Sequence, residues 1–179
     1  MKKIKVVDTN IGDFICSVFT ERPYSFKSSA AHKNTEQIAD IYTNQFGVKE
    51  NLNAKQLTIY TKNILRKEVY NPEALITGAN FLISNTGSIV FTENEGNILK
   101  STSFAPIHII VAGIDKMITS IDELSVLLPL SSLYDNNKNI SSLYSIINSP
   151  SISEDKVQNL YLILLNNNRT NILSKEKQR

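Results

Sequence analysis

The sequence has 179 residues, of which 41% are apolar and 20% are charged, and its formal net charge is +2. A chain of this length and composition is expected to fold around a core of its own, which excludes general disorder and leaves little room for a second domain. The small net charge gives no electrostatic case for binding nucleic acid or an anionic membrane.

The single cysteine and the N-terminus indicate the cellular compartment. Cys16 lies in the apolar stretch DFICSVF, so it is expected to be buried, and no disulfide can form within the chain. The N-terminal MKKIKVVDTN has an apolar run too short for a signal peptide, and no segment has the length of a transmembrane helix. We therefore expect one domain over residues 1–179, located in the cytoplasm.

The N-terminal residues predict a strand followed by a helix. IKVV at residues 4–7 is rich in β-branched side chains, which favour the first strand of an α/β domain. Asn10 can cap a helix that runs through Phe14 and Val18 and stops before Pro23.

Two amphipathic helices are predicted next. Asn34 or Thr35 can cap the first, and Gly47 can end it. The second carries Leu57 and Leu65 on its apolar face and stops before Pro72.

After Pro72 the apolar pattern changes from helical to strand-like. ALIT, FLIS, SIVFT and IHIIVAG follow one another closely and predict a sheet. HIIVA, at residues 108–112, is apolar on both faces, which predicts layers of helix above and below it. LYSII and LYLILL predict two further buried strands.

One more helix is predicted between these strands. Ser120 and Glu123 have the spacing of a capping box at the start of SIDELSVLLPL, and Pro129 is expected to bend or end this helix. The order of helices, strands and mixed elements predicts an α/β fold of three layers with a mixed sheet.

Familiar catalytic motifs do not occur in the sequence. It has no nucleophile elbow, Walker loop, dinucleotide glycine fingerprint or zinc-ligand spacing. Candidate positions are instead concentrated in GANFLISNTGSIVFTENEGN, at residues 78–97, in KSTSFAPIH after it, and in AAHK. Clustered glycines and short polar side chains are typical of tight turns and also of loops that approach a ligand.

Each candidate has a structural reading beside the functional one. The ligand-binding candidates are Gly78, Ala79, Asn80, Thr86, Gly87, Glu95, Gly96, Asn97, Lys100, Thr102, His32, Lys33 and His108, and Glu95 is also the candidate catalytic residue. Gly78 to Asn80 follow a strand, where ligands often bind, but a packing turn explains them as well. Lys100 and Thr102 suit a phosphate or carboxylate and equally suit a solvated connection. His108 is expected to be a hydrogen-bonded core histidine, and His32 is weighed between anion binding and a surface cap.

The segments ITGANFLISNTGSIVFTENEGN and PIHIIVAGIDKMI resemble the LUD domain of the lactate-utilisation protein B family of iron-sulfur proteins. The likeness extends through VVDTNIGDF, AAHKNTEQIAD, LYSIINSP and LILLNNNRTNIL, and so covers nearly the whole chain.

This resemblance implies a fold of the ribose-phosphate isomerase and CoA-transferase group. It also implies a place in a bacterial three-protein system that oxidises L-lactate to pyruvate, with partner subunits and electron transport through iron-sulfur clusters. The full-length family protein holds two [4Fe-4S] clusters in a cysteine-rich segment after this domain. A chain with one cysteine is expected to hold no cofactor of this kind and to be inactive as an enzyme alone, whether it is a cut-down domain or a naturally short relative.

The sequence departs from the family pattern at several positions. Asn85 stands where the family usually has an acidic residue, and Ile98-Leu99 replaces a pair such as Gly-Arg. The family's Thr-Gly-Gln loop corresponds to residues 136–138, Asn-Asn-Lys. These departures indicate an altered or lost ligand site.

Three functions are consistent with the sequence. The first is a scaffold and small-ligand module of an L-lactate-oxidising iron-sulfur assembly, which binds a small carboxylate or phosphate. The second is a stand-alone enzyme of the CoA-transferase or sugar-phosphate isomerase kind that uses Glu95 as nucleophile or base. The third is a docking module whose site has decayed.

Overall fold

The computed structural model describes residues 4–25, 29–48, 52–69, 72–93, 96–136, 143–150, 152–153 and 156–176. The chain divides into two compact units, Met1–Tyr70 and Asn71–Arg179. One domain over residues 1–179 stays a prediction.

The first unit contains three helices, α1 (Ile11–Val18), α2 (Thr35–Phe46) and α3 (Ala54–Val69). Asn10 caps α1 through its side-chain oxygen, as predicted. Asn34, the first of the two predicted caps, forms a capping box with Gln37, and Gly47 ends α2 in the left-handed conformation at φ 64°.

The core of the first unit joins the apolar faces of these helices. Its buried side chains are Phe14, Ile15, Tyr42, Leu57 and Leu65. The Tyr42 hydroxyl is fully buried and lies 2.8 Å from the Thr61 hydroxyl, so burial leaves this polar group paired.

The predicted strand at residues 4–7 is wrong. The described residues of this segment adopt no strand, and Ile4 and Val6 are 88% and 81% exposed. β-Branched residues favour extended backbone, but a strand also requires a hydrogen-bonded neighbour, which nothing in the sequence of this segment specifies.

The second unit contains the sheets. Its described elements are β1 (Leu75–Gly78), β2 (Phe81–Ile83), β3 (Ser88–Glu93), α4 (Asn97–Phe104), β4 (Ile107–Gly113), β5 (Met117–Ile118), α5 (Leu124–Asn136), β6 (Leu143–Ile147), β7 (Ile152–Ser153), β8 (Lys156–Val157), β9 (Asn159–Leu165) and α6 (Arg169–Glu176), with short 3-10 turns at Ile114–Lys116 and Ile121–Glu123.

The strands form two sheets and a small hairpin. A parallel sheet has the order β1-β4-β9, and a mixed sheet has the order β5-β2-β3-β6. In the mixed sheet, β2 pairs parallel with β5 and antiparallel with β3. β7 and β8 form the hairpin. The α/β class and the mixed sheet are therefore confirmed.

Two clusters of buried side chains define the layers of this unit. Leu82 and Phe91 from the mixed sheet pack with Ile110 and Ala112 from the parallel sheet. On the other face of the mixed sheet, the cluster that includes Val90 contains Leu124 of α5. The mixed sheet thus lies between the parallel sheet and α5.

The burial predicted for β4 and β9 is wrong in part. The face of β4 that carries His108 and Ile110 is buried, but Ile109 and Val111 on its other face are only partly buried. β9 is an edge strand, and Tyr161 and Ile163 are 54% and 46% exposed. An apolar sequence indicates which side chains of a strand could be buried. The position of the strand in the sheet decides which of them are buried.

The helix that follows β5 begins as predicted but ends later. Ser120 and Glu123 form the expected capping box, with the Glu123 carboxylate accepting from the Ser120 backbone N–H at 3.0 Å. Pro129 lies inside α5, which continues to Asn136, so Pro129 does not end this helix. In the part of the chain that the structure describes, no helix is long and apolar enough to cross a membrane.

Candidate functional site

Gly78, Ala79 and Asn80 connect β1 to β2. The Asn80 backbone N–H donates to the Val90 carbonyl at 2.9 Å, and its side-chain Oδ1 accepts from the Thr92 N–H at 2.9 Å. Ala79 packs against the cluster between the two sheets. Asn80 therefore holds this connection to β3, which is the structural reading of its position.

Gly78 has no steric reason to be glycine among the described residues. A Cβ at this position would meet nothing closer than the Val111 carbonyl oxygen at 3.8 Å, which is an ordinary contact. The residue is exposed at the carboxyl end of a parallel strand. The described surroundings therefore do not explain why this position is glycine.

Thr86 and Gly87 form the turn between β2 and β3. Gly87 has a φ of 68°, and its N–H donates to the Ile83 carbonyl at 2.9 Å. The Thr86 hydroxyl lies 2.5 Å from the Ser88 hydroxyl. The turn therefore explains why Thr86 and Gly87 occur at these positions. The backbone N–H of Asn85, beside them, donates to the Thr119 carbonyl at 3.3 Å.

The start of α4 is occupied by a carboxylate that the sequence analysis did not select. Glu93 accepts hydrogen bonds from the backbone N–H groups of Ile98 and Leu99 at 2.7 and 3.0 Å. These are the groups that an incoming anion would use at a helix N-terminus. A carboxylate shortly before Gly96 is the signal that could have identified Glu93, although no helix was predicted after it.

Gly96 and Lys100 are brought together at this point. Gly96 adopts a φ of 69° immediately before α4, and a Cβ there would lie 4.0 Å from Lys100 Nζ. Lys100 is exposed, whereas Asn97 is partly buried. Glu95, the candidate catalytic residue, lies outside the described residues.

Thr102 serves the helix rather than a ligand. Its hydroxyl donates to the Ile98 carbonyl at 2.8 Å. The Gln158 amide donates to the Thr102 and Ala105 carbonyls, both at 2.8 Å, and so holds the end of α4 to the segment before β9.

His108 is a core histidine, as expected. It is fully buried, its Nε2 lies 2.8 Å from the Thr77 hydroxyl, and its ring stacks on Phe91 at 6.1 Å between centroids. Burial lowers the pKa of this imidazole, because a charged ring would lose its hydration. Nδ1 has no hydrogen-bond partner among the described residues.

His32 and Lys33 lie in the first unit, whereas the other candidates lie in the second. Glu21 interacts with both of them, at 2.9 Å from His32 Nε2 and 2.7 Å from Lys33 Nζ. The Lys33 ammonium also lies 4.4 Å from the centre of the Phe19 ring. Hydrogen bonds from Lys33 and then His32 lower the pKa of Glu21. Neither side chain is a simple surface cap, since both belong to this ion-pair cluster.

The carboxyl ends of the three parallel strands form a second candidate region, which we call the carboxyl edge. Gly78, Gly113 and Leu165 end β1, β4 and β9 on the same side of the sheet. Asp115 follows β4, and Arg169 follows β9. Their side chains approach to 3.5 Å, between Asp115 Oδ2 and Arg169 Nη1.

The local backbone explains how this pair is placed. The Asp115 carboxylate lies over Gly113, where any Cβ would collide with Oδ1. Asn167 and Asn168 adopt φ values of 44° and 62°, a conformation that asparagine tolerates, and they turn the chain from β9 into α6. Asp115 and Arg169 were not predicted from the sequence, although polar residues after two parallel strands were the signal available.

No group of three or more His, Cys, Asp or Glu side chains is arranged to hold a metal ion within the described ranges. Cys16 is 1% exposed, and its thiol donates to the Ser29 carbonyl at 3.1 Å. Burial, and then the nearby charge of Asp13, raises the pKa of this thiol. A four-iron cluster requires four thiolates, so this chain's residues do not fit one.

The first unit also has an apolar cavity of about 430 Å³ between the end of α2 and α3. None of the candidate residues lines it. Its lining consists of Gly47, Val48, Leu52, Gln56, Ile59, Tyr60 and Asn63.

Comparison with known families decides what this fold belongs to. The sequence model described as LUD domain matches residues 2–167, a range that runs through both compact units. This chain belongs to the LUD domain family. The positions at which the sequence departs from the family pattern therefore lie within a LUD domain. The backbone N–H groups of Ile98 and Leu99 donate to Glu93. Asn136 ends α5, and residues 137–138 lie outside the described ranges.

Several curated relatives of this LUD domain are named lactate utilization protein B. Those of Bacillus licheniformis and Geobacillus sp. are 30% identical, and that of Bacillus subtilis is 29% identical, each over 177 residues and 97% of this chain. The chain spans 37% of the length of each of these relatives.

A crystal structure of a DUF162 family protein from Deinococcus radiodurans is also similar to this LUD domain. Its TM-score is 0.40 at 17% identity, and the match covers 64% of this chain and 70% of that chain.

Proposed function

We propose that this LUD domain acts in L-lactate utilisation, as a scaffold and small-ligand module of an iron-sulfur assembly. The observation that carries the proposal is the likeness to proteins named lactate utilization protein B over 97% of the chain. The LUD match through both compact units supports it. A cytoplasmic location and a fold of the ribose-phosphate isomerase and CoA-transferase group belong to the same proposal.

The clusters of such an assembly would be held by other cysteine-bearing sequence. This chain has one cysteine, which is buried and hydrogen-bonded. Its contribution would be to bind partner subunits and to position a small carboxylate, so we do not propose that it is an enzyme by itself.

A titration of the purified chain tests the ligand part of this proposal. Calorimetry and thermal unfolding would be followed with L-lactate and pyruvate, and with CoA, a flavin and a nucleotide as the competing classes. A ligand that binds the native state raises stability by about 2.7 kcal/mol at 100 times its Kd. We expect saturable binding of a small carboxylate and no binding of the other three classes.

CoA binding would instead support the stand-alone enzyme, particularly if Glu95→Gln abolished a CoA-dependent reaction in a folded protein. The structure adds no support for that enzyme, because Glu95 lies outside the described residues and His108 is buried.

A docking module with a decayed site is the second candidate function. Glu93 favours it, because its carboxylate occupies the backbone donors at the start of α4 that a ligand anion would need. If the folded chain bound none of the ligands in the titration, that result would support the docking module and contradict ligand binding.

A further inference from the structure

We infer that the carboxyl edge holds a binding site for a small 2-hydroxy carboxylate, in which Arg169 binds the carboxylate and Asp115 accepts the hydroxyl. The inference rests on the proposed function for the class of acid, and on the structure for the place.

The Arg169 guanidinium is available to bind a ligand. It carries five N–H donors in a planar fork that matches a carboxylate. Among the described residues it donates no hydrogen bond, and its ion pair with Asp115 is long, at 3.5 Å. Its side chain is 49% exposed. A ligand can therefore reach this guanidinium from solvent.

The Asp115–Arg169 pair lies where ligands of α/β folds usually bind. Ligands of open α/β sheets bind outside the carboxyl ends of parallel strands. Pairing of Gly113 with Leu165 aligns the ends of β4 and β9, so that the residues just after each strand share one edge. Asp115 and Arg169 are therefore neighbours because of sheet register, although they are far apart in the sequence.

The other candidate anion sites already have an acidic partner or lack the geometry that a carboxylate needs. Glu93 occupies the start of α4, and Glu21 interacts with both His32 and Lys33. Lys100 is exposed beside Gly96 but offers a single ammonium without the fork geometry. Arg169 is the better carboxylate receptor in the described part of the second unit.

The pair also indicates which carboxylate fits. With its carboxylate on Arg169, a 2-hydroxy acid can donate its hydroxyl to Asp115, which is 36% exposed and acts only as an acceptor when ionised. A 2-oxo acid places a carbonyl oxygen against that carboxylate instead, and two acceptors cannot bond. We therefore expect L-lactate to bind more tightly than pyruvate.

The test uses the whole chain, with L-lactate, pyruvate, acetate and inorganic phosphate as probes in calorimetry. Arg169→Ala should weaken L-lactate binding at least tenfold, and Arg169→Lys should weaken it less. Asp115→Asn should reduce the preference for L-lactate over pyruvate. Lys175→Ala is the matched control, because it removes one positive charge from the same helix six residues further on, and it should leave the affinity within twofold. Circular dichroism and thermal unfolding establish that each variant is folded. If Arg169→Ala does not fold, the loss of L-lactate affinity is measured with Arg169→Lys instead.

The outcomes separate this site from the proposed function. Unchanged L-lactate binding in folded Arg169→Ala would overturn the site and leave the proposed function standing. Binding of phosphate alone, lost in Arg169→Ala, would overturn both the hydroxy acid and the proposed function. An affinity for pyruvate equal to that for L-lactate would overturn the role of Asp115. Absence of binding to any probe would overturn the site and the ligand-binding part of the proposed function, and would leave the scaffold part.

Discussion

His108 illustrates how a single buried side chain links sequence to stability. It lies within an apolar strand, and its burial was predicted from that context. Its partners Thr77 and Phe91 were not predicted, because they come from β1 and from the other sheet. The sequence alone indicates that a buried histidine must be hydrogen-bonded or neutral. It does not indicate which group is the hydrogen-bond partner.

The lowered pKa of His108 predicts a loss of stability in mild acid. Below its ordinary pKa of 6.5 the unfolded chain binds a proton that the native chain does not. The stabilisation is therefore present above that value and is lost as the pH falls toward the lower native pKa, by at most about 1.4 kcal/mol per pH unit for one proton. Urea unfolding between pH 7.5 and about pH 5 would measure it.

The control for this prediction uses the other histidine. His32→Asn should keep the acid-dependent loss, whereas His108→Asn should reduce it even if the variant is less stable overall. An equal loss in both variants would assign the pH dependence to other groups.

Glu93 has a structural role that was not predicted from the sequence. Removing its carboxylate leaves the backbone N–H groups of Ile98 and Leu99 without their partner. Glu93→Ala should lower the free energy of unfolding by about 1–2 kcal/mol, as for the loss of a helix cap or a charged hydrogen bond. Glu73→Ala, at an exposed position in the same unit, should change it by less than about 0.5 kcal/mol. Equal effects of the two substitutions would show that Glu93 does not stabilise α4.

At the scale of elements, helix caps were the most predictable features. Asn10, Asn34, Gly47 and the Ser120–Glu123 pair all act as the sequence indicates, because capping involves residues within a few positions of one another. Strand burial was less predictable. The exposed apolar side chains of β9 follow from its edge position, which depends on β4, about 50 residues earlier in the chain.

The capping box of α2 gives a prediction at this scale. Asn34 accepts a hydrogen bond from the Gln37 backbone at 2.8 Å, so Asn34→Ala should lower the free energy of unfolding by about 1 kcal/mol. Asn44→Ala, at an exposed position inside the same helix, should be neutral or slightly stabilising because alanine has the higher helix propensity. Chemical denaturation of both variants provides the comparison, and a neutral Asn34→Ala would contradict the role of the cap.

At the scale of the whole molecule, the α/β class was predictable, whereas the division into two sheets was not. The candidate site shows the same limit. Gly78 and Asn80 were selected as candidates because their sequence resembles a loop. Only the structure shows that the Asn80 side chain accepts a hydrogen bond from β3. Asp115 and Arg169 meet through the pairing of β4 with β9, which no local pattern encodes.

The molecule as a whole is also expected to hold no iron-sulfur cluster alone. Anaerobic reconstitution with iron and sulfide should give no stable four-iron absorption or paramagnetic signal, because Cys16 is buried and has no second thiolate in the chain. Cys16→Ser should behave in the same way. A stable cluster that Cys16→Ser removes would contradict this expectation and would require several copies of the chain to share one cluster.

The order β1-β4-β9 has a consequence for folding during synthesis. β4 is the central strand, yet one of its two neighbours is made about 50 residues later. At roughly 5–20 residues per second, β4 waits about 3–10 s on the ribosome with one edge unpaired. An unpaired, apolar strand edge is a template for pairing with a wrong strand. The yield of this protein should therefore depend on translation speed over residues 114–165 more than on the speed over its helical first unit.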